Sequence, residues 1–400
     1  MTRALRVVDA DRPEAVFAAL REALTGTGGA VVPRSAPSRP TGEAGSGLPG
    51  EEGETQPGPG TAESVPQNVA LVIETSGSTG VPKRVALSTD ALLASAAASA
   101  GALGGQGQWL LALPAHYVAG AQVLVRSLAA ETEPVFYGSG HFDAKRFAET
   151  AGALSHDLRY TSLVPVQLAR LVEAAESGSL SVPAVLRRFD GILVGGQALS
   201  PELRRRAEQL GARIVSTYGS SETAGGCVYD GVPIGTTVVR ESAGQLEISG
   251  PVLAEGYLGD PERTAAAFRD DDGVRWYRTG DLGEVSTDGR VTVFGRSDNV
   301  IISGGEKILL DAVERLVQAV PGFGHAVVVG VQDPVWGQVP VVVSDGGAAA
   351  SLRQLRELVA ERLGRAAAPA RIVEVDQLPR LASGKPDRVA AAEVARRPGA

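Results

Sequence analysis

An α/β fold is what this sequence predicts: a large N-terminal domain of parallel sheets covered by helices, closed by a short β-rich stretch, and then a small α+β C-terminal domain. Three observations carry the prediction. Apolar strand-like runs alternate with helix-like stretches from Val69 to Thr217, a rhythm that builds parallel sheets with ligands at the carboxyl ends of the strands. After about Gly244 the rhythm shortens to strands alone. Beyond Arg296 a unit of about a hundred residues mixes helices and strands, a common domain size. The 400 residues, 44% of them hydrophobic, can bury a sizeable core and divide into two or more units.

Taken in order, Val16, Phe17, Leu20 and Leu24 recur at helical spacing and predict a helix, followed by a short strand Ala30 to Val32. From Pro33 to Gln67 the chain is rich in Pro, Gly, Ser and Glu and almost without large apolar residues. Such a segment cannot offset its ordering entropy, so a disordered or variable surface insertion is expected. Val69 to Glu74 is a strand running into a Gly-rich loop, and Ser88 caps an Ala-rich helix that stops near Gly101. Tyr160 to Val164 is a strand followed by a helix from Pro165. Gly191 to Val194 is a strand ending at Gly195 and Gly196. Ser200, Pro201 and Glu202 open a helix with a cap, a first-turn proline and an early acid, and Arg213 to Thr217 is the next buried strand. Gly283 to Ser286 and Val291 to Phe294 flank Asp288-Gly289 as a hairpin. The last unit reads helix Asp311 to Val320, strands Ala326 to Val331 and Val339 to Val343, helix Leu352 to Leu363, strand Arg371 to Val375, and a loop carrying Lys385. No internal repeat is present.

Composition excludes several function classes. A net charge of -8 without clustered Lys and Arg offers no field for a nucleic-acid backbone. Met1 to Ala10 lacks the basic-then-apolar order of a signal peptide, and no run of about 18 apolar residues forms a membrane span, so a cytoplasmic protein is expected. Cys227 is the single cysteine, which excludes an internal disulfide and a multi-cysteine metal site; a small packed residue is its expected role. Among 38 basic residues only Lys83, Lys145, Lys307 and Lys385 are lysines. In so Arg-biased a chain, a lysine in a Gly-rich loop points to a compact charge on a flexible stem rather than a planar fork.

The loop Thr75-Ser76-Gly77-Ser78-Thr79-Gly80-Val81-Pro82-Lys83 follows an apolar strand. Its glycines let backbone approach phosphate oxygens, its hydroxyls donate to them, and Lys83 adds charge. It is not a Walker A loop, because Pro82 precedes the lysine and no Ser or Thr follows it. Four later segments carry chemistry-bearing residues: Tyr218-Gly219-Ser220-Ser221-Glu222-Thr223, Tyr277-Arg278-Thr279-Gly280-Asp281, Gly295-Arg296-Ser297-Asp298 and Pro379-Arg380-Leu381-Ala382-Ser383-Gly384-Lys385. Taken singly, Glu222 reads as a solvated helix start, Asp281 and Arg296 as turn residues in a structural salt bridge, and Lys385 as an exposed tail lysine.

Together and in this order, the motifs resemble the adenylate-forming superfamily of acyl-CoA synthetases, luciferases and peptide-synthetase adenylation domains. The resemblance covers Val69 to Lys385. It implies an ATP-dependent, AMP-forming ligase in which the Thr75 to Lys83 loop handles the departing phosphates and Tyr218, Gly219 and Ser220 meet the adenine. It further implies that Glu222, with Thr79, holds Mg²⁺, that Asp281 binds the ribose hydroxyls, and that Arg296 lies near ribose or phosphate. Lys385 would bridge the substrate carboxylate and the α-phosphate, since an ammonium offsets the repulsion of two anions brought together. The division implied is a domain of residues 1 to 297 and a mobile one of 298 to 400, hinged near Asp298. Rotation there would exchange Lys385 for Ser303-Gly304-Gly305, on the CoA side, between the half-reactions.

Leu113-Pro114-Ala115-His116-Tyr117-Val118-Ala119-Gly120 and Thr217 to Gly231 are similar to the short actinobacterial-type 2-succinylbenzoate–CoA ligases of menaquinone biosynthesis, and an abbreviated N-terminal region agrees with that group. The implied substrates are ATP, CoA and a small carboxylic acid, with Mg²⁺ as cofactor and no nucleic-acid partner; a homodimer is left open. His116 would contact substrate, or be a satisfied core histidine. The acyl group is expected near Ser162, Gly195, Gly196 and Gly219, with Arg126, Ser162 and the Gly195-Gly196 turn as candidates for a second carboxylate. Arg84 departs from the superfamily pattern, where glycine commonly follows the Pro-Lys pair. A ligase for another aryl or aliphatic acid, and an adenylation enzyme that loads a carrier protein, share every ATP motif. A non-catalytic nucleotide-binding module would have lost Lys385 or Glu222, and both are present.

Overall fold

The computed structural model describes residues 1–35, 64–75, 83–346, 350–381 and 385–397. They form two compact units, one of Met1–Val239 with Ile248–Tyr277 and one of Arg240–Glu247 with Arg278–Ala400. The long strand Val274–Val285 starts in the first unit and ends in the second.

The first unit holds two sheets. In the six-stranded one the order is Gly256–Tyr257, Lys83–Ser88, Val69–Thr75, Ala30–Arg34, Thr2–Asp9, Ser64–Pro66. Its centre is parallel, but Lys83–Ser88, Gly256–Tyr257 and Ser64–Pro66 run antiparallel to their neighbours. The sheet is therefore mixed rather than parallel throughout. For Lys83–Ser88 the cause is local: a short connection returns the chain beside the strand it has just left, and such a return must be antiparallel.

The seven-stranded sheet is parallel from Val135–Phe136 through Gln108–Leu111, Arg159–Leu163 and Gly191–Val194 to Ile214–Ser220. Gly225–Tyr229 and Val232–Pro233 close one edge antiparallel. One face packs under helices Ala144–Ala151, Pro165–Glu176, Ser181–Leu186 and Pro201–Gln209 through Phe147, Leu163, Leu168, Phe189, Ile192 and Val194. Each such side chain contributes about 1.5–3 kcal/mol when fully buried. Helices Thr89–Leu103 and Val118–Ala129 pack on each other, and the former touches strands of both sheets.

Local signals place most of these elements. Ser88 Oγ accepts the Ala91 amide at 3.3 Å and Ser200 Oγ accepts that of Leu203 at 3.1 Å, as N-caps do. The first of these helices runs past Gly101 to Leu103 and stops at Gly104, whose φ of 88° ends the helical turn. The insertion expected over 33–67 is shorter at both ends. Pro33 and Arg34 continue a strand beside Thr2–Asp9, and Ser64–Pro66 pairs with that strand's other edge through buried Val65; residues 36–63 lie outside the described residues. The strand expected over Arg213 to Thr217 spans Ile214–Ser220 and is mostly half-buried rather than buried, since its far end leaves the parallel core to pair with Gly225–Tyr229.

In the second unit, Asp281–Val285 pairs antiparallel with Val291–Arg296 around a turn in which Gly289 has a φ of 79°. The C-terminal sheet is built on Gly337–Ser344, flanked by Val327–Asp333 and Arg371–Glu374. One face, through Val328 and Val342, meets Val313, Val317, Leu355 and Val359 of helices Leu310–Gln318 and Leu352–Leu363. The other, through Val327, Val329, Val341 and Val343, meets Ala391 and Ala395 of helix Arg388–Arg396. Burial on both faces explains the unbroken valine runs. The hairpin Val300–Ser303/Glu306–Leu309 and the last helix were not foreseen. Among the described residues no helix is long and apolar enough to cross a membrane.

Candidate active site

Strands Val69–Thr75 and Lys83–Ser88 are cross-strand neighbours, and the register pairs Thr75 with Lys83 and Glu74 with Arg84. Both ends of the Gly-rich loop are thereby pinned at the ends of two neighbouring interior strands. Ser76, Gly77, Ser78, Thr79 and Gly80 lie outside the described residues, as do Ala382, Ser383 and Gly384. Successive strand residues face opposite ways, so Lys83 and Arg84 serve different faces. Arg84 Nε lies 3.5 Å from Glu74 Oε1, on the carboxylate that Arg34 holds with two hydrogen bonds of 2.8 and 2.7 Å. These hydrogen bonds from Arg34 hold the Glu74 carboxyl below the usual range in spite of burial. The residue that departs from the superfamily pattern is thus part of an ion-pair cluster across the sheet.

Lys83 faces Glu222. Its Nζ lies 3.5 Å from Glu222 Oε1, with the lysine side chain 33% exposed and the glutamate 7%. The Tyr257 hydroxyl donates to the same oxygen at 2.9 Å, and Lys83 Nζ stands 5.5 Å from the centre of the Tyr257 ring. Burial, and then the Glu222 charge, raise the Tyr257 phenol pKa, which keeps it a donor. Glu222 is carried by a 3-10 turn, Ser221–Thr223, that side chains fix in place. The Ser220 amide donates to Thr223 Oγ1 at 2.9 Å, and that hydroxyl donates to the Gly225 carbonyl at 2.8 Å. Ala224 then takes a left-handed φ of 49°, and its carbonyl accepts from Ser95 Oγ at 3.0 Å and Gln122 Nε2 at 2.8 Å. A non-glycine residue is held there only by surrounding structure, a feature common at functional sites. Neither Ala224 nor Tyr257 was singled out from sequence.

Tyr218 is half-buried and pairs with Val228 just before an irregularity that brings Gly219 opposite Gly226. A Cβ on Gly219 would stand 2.1 Å from the Gly225 carbonyl oxygen. Gly195, at the end of its strand, donates to the Leu163 carbonyl at 3.2 Å, and a Cβ there would stand 2.2 Å from Thr217 Oγ1. Gly196 has a φ of 79°. Ser162 is buried opposite Leu193. The structure places Ser162, Gly195, Gly196, Gly219 and Tyr218 at or near the carboxyl ends of neighbouring parallel strands. His116 is half-buried; its Nδ1 lies 2.9 Å from Ser35 Oγ. Burial lowers its imidazole pKa, and Asp11 draws it part of the way back.

Arg126 is not among these residues. It sits in the last turn of a helix that starts after a sheet strand's carboxyl end, near the strands' other end. Its guanidinium carbon lies 4.9 Å from the Trp109 ring centre, and Nη2 donates to the Tyr229 hydroxyl at 3.4 Å. Cys227 is 1% exposed, and burial pushes its thiol pKa up to about 12, so it is the packed residue expected.

In the second unit Asp281 and Arg296 are cross-strand partners. Arg296 Nη1 donates to Asp281 Oδ1 at 3.2 Å and to the Thr279 carbonyl at 2.8 Å. Its Nε and Nη2 reach the two oxygens of Asp298 at 3.3 and 3.2 Å. Burial opposes the Arg296 charge, but Asp298 and Asp281 outweigh it and raise the pKa. Ser303 pairs with Glu306 across Gly304 and Gly305, whose φ values of 57° and 86° make the tight turn. Lys385 closes a short loop, its carbonyl accepting the Leu381 amide at 2.8 Å, two residues before Asp387 caps the last helix. The residue is exposed, although desolvation lowers its ammonium pKa.

A magnesium ion suits this donor set. No group of three or more His, Cys, Asp or Glu among the described residues could enclose a metal, but Mg²⁺ is commonly held by one or two carboxylates together with substrate phosphates and water. Glu222 is the carboxylate that would fit such a role, and the Lys83 ammonium 3.5 Å from its Oε1 shows that it faces a positive charge.

The description "AMP-binding enzyme" matches residues 7–246, and "AMP-binding enzyme C-terminal domain" matches residues 312–385. The chain is 40% identical over 338 residues to a protein of Mycobacterium tuberculosis named probable 2-succinylbenzoate–CoA ligase, covering 82% of this chain and 85% of that protein. It is 33% identical over 350 residues to the 2-succinylbenzoate–CoA ligase of Geobacillus kaustophilus, covering 80% of this chain and 68% of that one. Among solved structures, o-succinylbenzoate CoA synthetase (MenE) from Bacillus subtilis in complex with the acyl-adenylate intermediate OSB-AMP superposes with a TM-score of 0.70 at 27% identity, covering 82% of this chain and 70% of that one. The same Bacillus enzyme is also solved with ATP and a magnesium ion. With a family match over residues 7–246 and a relative 40% identical over 82% of this chain, the chain belongs to the family of AMP-binding enzymes.

Proposed function

We propose that this chain is an ATP-dependent, AMP-forming ligase that activates 2-succinylbenzoate as its acyl-adenylate and transfers the acyl group to CoA, as a cytoplasmic enzyme of menaquinone biosynthesis. One observation carries the reading: the strand-end pair of Lys83 and buried Glu222 stands in a chain 40% identical over 338 residues to a protein named as such a ligase.

The side chains divide the work. The carboxylate of the acid attacks the α-phosphorus of ATP, the bond to the bridging oxygen breaks, and pyrophosphate leaves. Lys83 and the loop it closes hold the departing phosphates, Tyr218 with Gly219 and Ser220 receives the adenine, and Asp281 with Arg296 takes the ribose. Glu222, with Thr79, would hold Mg²⁺, which when bound spreads the charge of the phosphates. Lys385 supplies the ammonium that offsets repulsion between the attacking carboxylate and the phosphate. The thiol of CoA then attacks the acyl carbon and AMP leaves. Ser162, Gly195, Gly196 and Gly219 frame the acyl group, with His116 contacting it. Residues 298–400 act as the mobile domain, hinged at Asp298, that exchanges Lys385 for Ser303, Gly304 and Gly305 between the two steps.

The test is a pyrophosphate-release screen with 2-succinylbenzoate, benzoate and short fatty acids, each with CoA, with a carrier protein, and with neither. Preference for 2-succinylbenzoate and product formation with CoA is the expected result. Equal release with benzoate or fatty acids would overturn the substrate assignment, and acyl transfer to the carrier protein alone would overturn the acceptor.

A further inference from the structure

Glu222 is buried, and its setting is built by residues distant in sequence. The segment after Leu253 is stitched between the Lys83 strand and the Glu222 turn. The Ala254 amide donates to the Glu222 carbonyl at 2.8 Å, the Glu255 amide to Ala86 at 2.9 Å, and the Leu258 amide to Arg84 at 2.7 Å. Gly256 and Tyr257 pair with Ala86 and Val85. This register sets the Tyr257 ring beside Lys83 and its hydroxyl on Glu222 Oε1 at 2.9 Å.

The ring itself is fixed from behind. Phe268 lies 6.0 Å from it and 5.1 Å from Tyr277, centre to centre, and the Tyr277 side chain hydrogen-bonds Tyr257. Tyr277 opens the Tyr277 to Asp281 motif, so two of the motifs meet at Tyr257. A carboxylate that accepts a fixed hydrogen bond on one oxygen keeps a fixed plane, and partners of this kind are what orient metal ligands.

We propose that Tyr257 is a positioning residue for the nucleotide-bound magnesium: by donating to Glu222 Oε1 it sets the plane of the carboxylate and directs the remaining lone pairs of Glu222 to the ion. The inference rests on the reading of Glu222 as the magnesium residue. Tyr257 acts through Glu222 and touches no reacting atom. Removing the hydroxyl while keeping the ring leaves Oε1 to Lys83 alone, 3.5 Å away, and the plane of the carboxylate is no longer held.

The experiment is calorimetric titration of Mg²⁺ into the full chain held with α,β-methylene ATP, for wild type, Tyr257→Phe, Glu222→Gln and the double variant. Tyr257→Phe is expected to weaken Mg²⁺ binding about tenfold, Glu222→Gln to weaken it further, and the double variant to match Glu222→Gln alone. Wild-type affinity in Tyr257→Phe beside weakened Glu222→Gln overturns the positioning role and leaves Glu222 as the magnesium residue. Unchanged affinity in Glu222→Gln overturns the reading of Glu222 and this inference with it. An equal loss from Tyr257→Phe in both backgrounds marks a general structural effect and also overturns the proposal.

Discussion

Lys83 and Lys385 are two of four lysines in a chain of 38 basic residues, and their settings are opposite. Lys83 begins a strand locked on both sides by neighbours and meets a buried carboxylate at 3.5 Å. Lys385 is exposed beside a bridge made by two backbone hydrogen bonds, Leu381 to Lys385 and Asp387 to Pro379, in the other compact unit. A charge that grips a bound group throughout is best mounted on a sheet, where its position varies little. A charge needed for one step can sit on a loop. Under the proposed function, the contrast teaches that the same residue type would serve holding in one place and passing assistance in the other.

The largest effect expected from breaking this contrast is at Lys385. Lys385→Ala should lower adenylate formation about a hundredfold or more while sparing thiolysis of supplied acyl-adenylate, measured as pyrophosphate release and CoA thioester formation in separate assays. Lys83→Met should raise the KM for MgATP about tenfold, as expected for a lost charged contact. It should also cost about 1 kcal/mol of stability, because Glu222 loses its cation while a third-exposed lysine gives up little; thermal unfolding with and without nucleotide reads both.

Smaller effects sharpen the picture of the strand-end frame. Gly195→Ala places a Cβ 2.2 Å from Thr217 Oγ1, which should cost about 1–3 kcal/mol and raise the KM for the acid, with partial relief from Thr217→Ala. The His116 pKa is lowered by burial, so below the ordinary imidazole value the unfolded chain binds the extra proton first. Stability should therefore fall slightly as pH drops through that window and level off below the folded pKa, and His116→Asn should remove the slope in unfolding curves. Cys227 should resist thiol reagents until the chain unfolds, because its buried thiol stays protonated up to about pH 12.

Legibility followed the range of the interaction. Ser88 and Ser200 were readable as caps because a cap needs only the next three residues. Glycines at 195, 196 and 219 were readable because strand ends are local. Thr2–Asp9 was missed since its burial alternates poorly; it buries Arg3, whose guanidinium finds the Ala23 carbonyl at 2.7 Å, so the apolar pattern is broken by a residue satisfied from afar. Tyr257 was missed for the same reason. Its partner lies 35 residues away, and an aromatic between glycine and leucine reads as packing until the sheet register is known. Arg126 was misread because its charge pointed to an anion, while the fold sets it against Trp109 and Tyr229.

The account's central claim is that a carboxylate attacks the α-phosphorus of ATP here, and labelled oxygen tests it most directly. With 2-succinylbenzoate carrying heavy oxygen in both carboxylates, plus ATP, Mg²⁺ and CoA, the account predicts one heavy oxygen in the phosphate of each AMP and none in pyrophosphate. Label in pyrophosphate or orthophosphate, or AMP formed without label, would contradict it.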